Sequence, residues 1–179
     1  MKTCRRSSLL IALALIGVLL GTGRAAAFDS KGLRVDVVFF EPKHFTDVAD
    51  SPAHGTEAGR EATLTELRRC LVRSAGRHVE AGQKLTITIT DVNLAGEFEP
   101  WHGAGWSDVR IVKDIYPPSI ELAFQLKDAE GNILKSGKRT LRDLAFMMKL
   151  SINDRDPLRH EKALLEDWVD AEFREPKKK

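Results

Sequence analysis

Lys84-Leu85-Thr86-Ile87-Thr88-Ile89-Thr90 alternates without a break. Leu85, Ile87 and Ile89 share one face of an extended chain and Thr86, Thr88 and Thr90 the other, because successive side chains of a strand point to opposite sides. Threonine suits the outer face, since its branched Cβ fits the pleat. A strand apolar on one side needs a covering layer on that side alone. The stretch therefore announces a sheet with one covered face.

Upstream, Leu33 to Phe40 alternates in the same way through Leu33, Val35, Val37 and Phe39, and Pro42 closes it. Val38 and Phe40 are also apolar, so partial cover of the second face is expected. Residues 42–58 read as a loop. From about Arg60 to His78, Leu64, Leu67, Leu71 and Ala75 recur at spacings of three and four, the stripe of an amphipathic helix. Cys70 sits beside that stripe and reads as a small buried hydrophobe. Downstream, Ser119 to Lys127 is a third alternating strand with Ile120, Leu122, Phe124 and Leu126 inward. Asp128-Ala129-Glu130-Gly131-Asn132 has the composition of a hairpin turn into a basic strand, Ile133 to Thr140. Its Lys135, Lys138 and Arg139, with Arg142, read as solvated charge protecting a sheet edge. Leu141 to Leu150 reads as a short helix or irregular apolar cover. Asp156-Pro157 has the form of an N-cap with proline at the first helical position. The helix that follows runs to about Phe173, with Leu158, Leu165, Trp168 and Val169 inward.

The order β-α-β-β-β-α predicts an α+β fold: a two-layer sandwich with a mostly antiparallel four-stranded sheet and two main helices on one face. The first strand-helix-strand unit predicts a parallel pair within it. The first 27 residues carry a different pattern. Lys2, Arg5 and Arg6 precede an apolar run from Leu9 to Leu20, and Ala25-Ala26-Ala27 ends it, as in a cleavable export signal. The run is short of the ~20 residues a membrane crossing needs. Cys4 lies before it, where it cannot serve as a lipid anchor. The expected organisation is a signal at 1–27, a single domain over 28–174 and a basic polar tail at 175–179, in a periplasmic protein or, alternatively, a secreted one.

Charge follows from that division. The chain has 28 Lys+Arg and 26 Asp+Glu. Lys2, Arg5, Arg6 and Arg24 belong to the signal, which leaves the remainder mildly acidic. That balance argues against nucleic acid as a partner. No histidine pair among His44, His54, His78, His102 and His160 has the spacing of two ligands on one strand or helix face, so no metal and no cofactor is expected. There is no Gly-x-Ser-x-Gly elbow, Ser107 has no recognisable partner, and no catalytic residue is assigned.

The segment between the second and third long strands is the distinctive part. Residues 91–118 are irregular, with a short strand expected at Val109–Val112. Such length in a compact domain usually serves function. Glycines 96, 103 and 105 give it freedom, and aromatic residues give it adhesive surface. The candidate contacts for a small ligand or an envelope protein are Glu97, Glu99, Trp101, His102, Trp106, Asp108 and Tyr116. Glu97 and Glu99 would share a face if extended. The alternative is a hydrolase of cell-wall or other glycans with these two as acid and base. In the non-catalytic version, the tryptophans cap the core and the acids pair with Arg110 and Lys113.

Phe40-Glu41-Pro42-Lys43-His44-Phe45-Thr46-Asp47, Leu94-Ala95-Gly96-Glu97-Phe98-Glu99-Pro100-Trp101 and Asp108-Val109-Arg110-Ile111-Val112-Lys113-Asp114-Ile115-Tyr116-Pro117-Pro118 carry a resemblance. It continues through Leu141-Arg142-Asp143-Leu144, Asp156-Pro157-Leu158-Arg159 and Glu161-Lys162-Ala163-Leu164-Leu165. Together they resemble the bacterial family called domain of unknown function 3016. The resemblance implies a short exported protein and one fold unit, with no catalytic residue to carry over.

Overall fold

The computed structural model describes residues 34–48, 55–103, 105, 108–149 and 155–174. The expected signal and the tail at 175–179 lie outside the described residues. The strands are β1 (Val35–Phe39), β2 (Lys84–Asn93), β3 (Glu97–Phe98), β4 (Arg110–Ile111), β5 (Ser119–Lys127) and β6 (Ile133–Arg142), and the helices are α1 (Glu57–Ala75) and α2 (Arg159–Phe173). The main sheet has the order β1-β2-β5-β6, and β3 pairs with β4. The β1–β2 pair is parallel, as the strand-helix-strand order predicts, and β2–β5 and β5–β6 are antiparallel. The sheet is therefore mixed rather than mostly antiparallel. A strand entered through a helical connection returns in the same direction, whereas a tight turn reverses the chain.

The alternation at 84–90 does what its period dictates. Leu85, Ile87 and Ile89 are buried with Val35 and Val37 of β1 and Ile120, Leu122 and Phe124 of β5. Leu64, Leu67, Leu71 and Ala75 of α1, and Leu164, Leu165, Trp168 and Val169 of α2, complete that core. The two helices pack on each other, α1 also against β1 and α2 against β6. Cys70 is buried among them, and burial pushes its thiol up to about 11. The thiolate is the reactive form, so at pH 8 only about one molecule in a thousand would be reactive. Alkylation of native protein is expected to be slow and to accelerate sharply in denaturant; rapid modification of the folded chain would contradict this burial.

Several boundaries move, each for a local reason. β2 continues past Thr90 through a bulge between Ile89 and Asp91, which lets Asp91 and Asn93 pair with Glu121 and Ser119. α1 begins at Glu57, three residues before the expected start at Arg60, because the Thr56 side chain accepts from Gly59 N–H. α2 begins at Arg159 with Leu158 as its cap residue, so Asp156 is not the N-cap. Asp156 instead accepts from Leu158 N–H at 2.9 Å and pairs with Lys162 at 2.7 Å. The expected strand at Val109–Val112 shrinks to Arg110–Ile111. Leu141 and Arg142 finish β6, and Phe146–Met148 forms a single 3-10 turn. Val38 and Phe40 are exposed, so the second face of β1 is not covered.

β6 is an outer strand of the sheet, yet its charges are not all solvated. Lys135 and Arg139 both pair with Glu172 of α2, at 2.8 and 2.9 Å. Arg139 also lies over the Phe124 ring, which meets Trp168 and Phe173 edge-on. No helix of the described residues is long and apolar enough to cross a membrane.

Candidate functional site

Leu94 to Pro118 leaves the sheet at the end of β2 and returns at the start of β5 as an arm. Its first residues are tied down one by one. Leu94 N–H donates to the Asp47 carbonyl, Ala95 N–H to the Glu161 carboxylate at 2.6 Å, and Gly96 N–H to the Tyr116 carbonyl. Gly96 has φ +85, and a Cβ there would stand 2.8 Å from the Ile111 carbonyl oxygen. A glycine is therefore required where the two limbs of the arm close on each other. Beyond it, Glu97 pairs with Ile111 and Phe98 with Arg110 in the β3–β4 ladder.

Two ion pairs fasten this hairpin. Arg110 reaches both oxygens of Asp47, at 2.6 and 3.0 Å, donates to the Gly96 carbonyl, and covers the Phe98 ring with its guanidinium. A planar fork can make such a bidentate contact and stack at once. Lys113 donates to both oxygens of Glu99, at 2.8 and 2.7 Å, and the Tyr116 hydroxyl adds a third bond at 3.0 Å. That bond to a carboxylate raises the Tyr116 pKa above the usual phenol value.

Glu99 is only 1% exposed, while Glu97 is exposed and turns one oxygen to its neighbour Phe98 N–H. The two acids therefore do not share a face. Glu99, at φ −112 and ψ 77, leaves the extended path ahead of the Pro100–His102 turn, so the two-residue period fails. Trp101 is 68% exposed and does not cap the core. Asp108 is exposed and Tyr116 half-buried. Trp106 and the His102 side chain lie outside the described residues. Lys113 pairs with Glu99 as the non-catalytic version expects, but Arg110 takes Asp47, a residue of the loop expected at 42–58.

Glu161 is a further buried acid of the site, outside the candidate residues of the 96–118 segment. It is 1% exposed, holds Ala95 through one oxygen, and its other oxygen has no hydrogen-bond partner among the described residues. Burial raises its pKa. The signal was present in the spacing: residues 158, 161, 165 and 168 form one inward stripe, and an acid on it must be buried. A carboxyl held above its ordinary range favours the folded state in acid, and that contribution is lost as pH rises through its folded pKa. Glu161→Gln is therefore expected to match the parent in acid and to exceed it in stability at neutral pH. Urea unfolding of both proteins across the pH range checks this, and a constant difference would refute it.

Among the described residues no cluster of three His, Cys, Asp or Glu side chains is placed to hold a metal. Where the outer face of the sheet ends against the arm lies a shallow cleft of about 110 Å³.

No curated protein matches the chain. Among solved structures, the PelC dodecamer from Paraburkholderia phytofirmans is similar at 14% identity, with a TM-score of 0.30, over 77% of this chain and 86% of that one. The family model described as "Protein of unknown function (DUF3016)" matches residues 33–171, which take in α1, the whole sheet, the arm with its fastenings and all but the last two residues of α2, and the chain belongs to that family.

Proposed function

We propose that this is an exported, periplasmic binding module that recognises an envelope protein or small ligand through residues 96–118 and performs no chemistry on it. Residues 1–27 act as the removable signal, 28–174 form the domain with both helices on one face of the sheet as a two-layer sandwich, and 175–179 are a basic polar tail. The signal pattern of the first 27 residues supports export, and a mature protein beginning at Phe28 in the periplasmic fraction tests it.

One observation carries the binding reading: large apolar side chains stand exposed on an arm whose base is fastened. Trp101 and Ile115, 68% and 65% exposed, project from a hairpin held by buried or half-buried ion pairs. Exposed aromatic anchors on a pre-organised support suit recognition, because little ordering entropy is lost on binding. Glu99 is committed to Lys113 and Tyr116, which supports binding over acid–base work by a Glu97/Glu99 pair. Trp101→Ala is expected to abolish capture of an envelope component while leaving the protein folded, with a single cooperative thermal unfolding transition. If instead the protein turns over peptidoglycan fragments and Glu97→Gln or Glu99→Gln stops it, the binding reading fails.

A further inference from the structure

We infer that the cleft at the foot of the arm binds a small zwitterion of the α-amino-acid class, with Arg142 taking its carboxylate and Glu97 its ammonium. The inference rests on the binding-module reading and names a ligand class for it.

Strand register builds the cleft. Asn93, Ser119 and Arg142 stand opposite one another at the end of β2, β5 and β6, in the same row. The arm folds back over that row, so that Asn93, Gly96, Glu97, Ile115, Tyr116 and Arg142 line a space of about 110 Å³. Nearby cations are committed: Arg110 to Asp47 and Lys113 to Glu99. The Arg142 side chain differs, making no hydrogen bond or ion pair among the described residues, while its backbone pairs with Ser119 in the sheet. Glu97 faces the same space with one oxygen fixed by Phe98 N–H. The two opposite charges line one cleft without pairing with each other. A simple anion would be drawn by Arg142 and repelled by Glu97, and a simple cation the reverse. A ligand carrying both charges satisfies both walls. The guanidinium fork matches a carboxylate. The volume is well below the ~300 Å³ at which ordinary ligand pockets begin, which limits the occupant to a molecule of about the size of glycine or alanine. Ile115 at the rim offers apolar contact to a small side chain.

Amide chemical shifts of the purified protein should be followed during titration with glycine, alanine, sodium acetate and methylammonium chloride. Alanine is expected to move the amides of Asn93, Gly96, Ile115 and Arg142, with acetate and methylammonium each at least about tenfold weaker, as loss of one charge-assisted contact implies. Arg142→Gln should weaken alanine binding by a similar factor without altering unfolding. Glu97→Gln should narrow the preference for alanine over acetate. Absence of cleft shifts with alanine, or alanine binding unchanged in Arg142→Gln, would overturn the inference. If Trp101-dependent capture persists in that case, the cleft assignment alone falls; if capture is also absent, the binding-module reading falls with it.

Discussion

Lys113→Met is expected to destabilise the fold by about 2–3 kcal/mol, because it takes the ammonium away from a buried carboxylate. Glu99 would lose both of its bonds to the ammonium and keep the Tyr116 hydroxyl. Breaking a fully buried pair from one side costs about 3–5 kcal/mol. Here the Lys113 side chain is 42% exposed, so screening by solvent brings the cost to or below the lower end of that range. Adding Glu99→Gln to the Lys113→Met background removes the carboxylate charge and should recover more than half of the loss. Urea unfolding of the single and double variants measures this directly. A Lys113→Met protein as stable as the parent would mean that Glu99 is not held as described.

Arg110→Ala is expected to cost about 3 kcal/mol, the other large effect. It deprives Asp47 of two hydrogen bonds and the Gly96 carbonyl of one, and uncovers the Phe98 ring. Asp47 and Arg110 are both more than four-fifths buried, so the charge left behind is poorly solvated. Arg110→Lys should recover less than half, because an ammonium cannot fork to two oxygens, reach a carbonyl and stack at the same time. Equal stability of Arg110→Lys and the parent would reduce the contact to simple charge attraction.

The two pairs explain why the fold was legible in the sequence while the site was legible only in part. Leu85, Ile87 and Ile89 declare their face because a strand has a period of two, and the stripe through Leu64, Leu67 and Leu71 declares a helix for the same local reason. Arg110 and Asp47 stand 63 residues apart in sequence. No periodicity connects them, and a residue such as Asp47 gives no sign in a loop that it will bridge to Asn93 across the sheet. Glu99 illustrates a second limit. Two acids at i and i+2 share a face only while the chain stays extended, and the turn that opens at Pro100 ends that extension at Glu99 itself. Glu161 is a third case: its position on the inward stripe of α2 was readable, but its partner, the Ala95 amide, belongs to a different element. Composition found the arm, since aromatic and glycine residues crowd into it. Which of its side chains hold and which are presented depends on pairing that only the folded chain supplies.

Hydrogen exchange at the arm is the most direct test of the claim that it is a fastened support for exposed contacts. The amides of Ala95, Gly96 and Tyr116 donate to Glu161, to the Tyr116 carbonyl and to the Lys113 carbonyl respectively. They are expected to exchange with protection comparable to that of Ile87 and Phe124 in the sheet, and Lys113→Met should lower protection in the arm first while the sheet amides hold. Rapid exchange of all three amides in the unaltered protein would contradict the account.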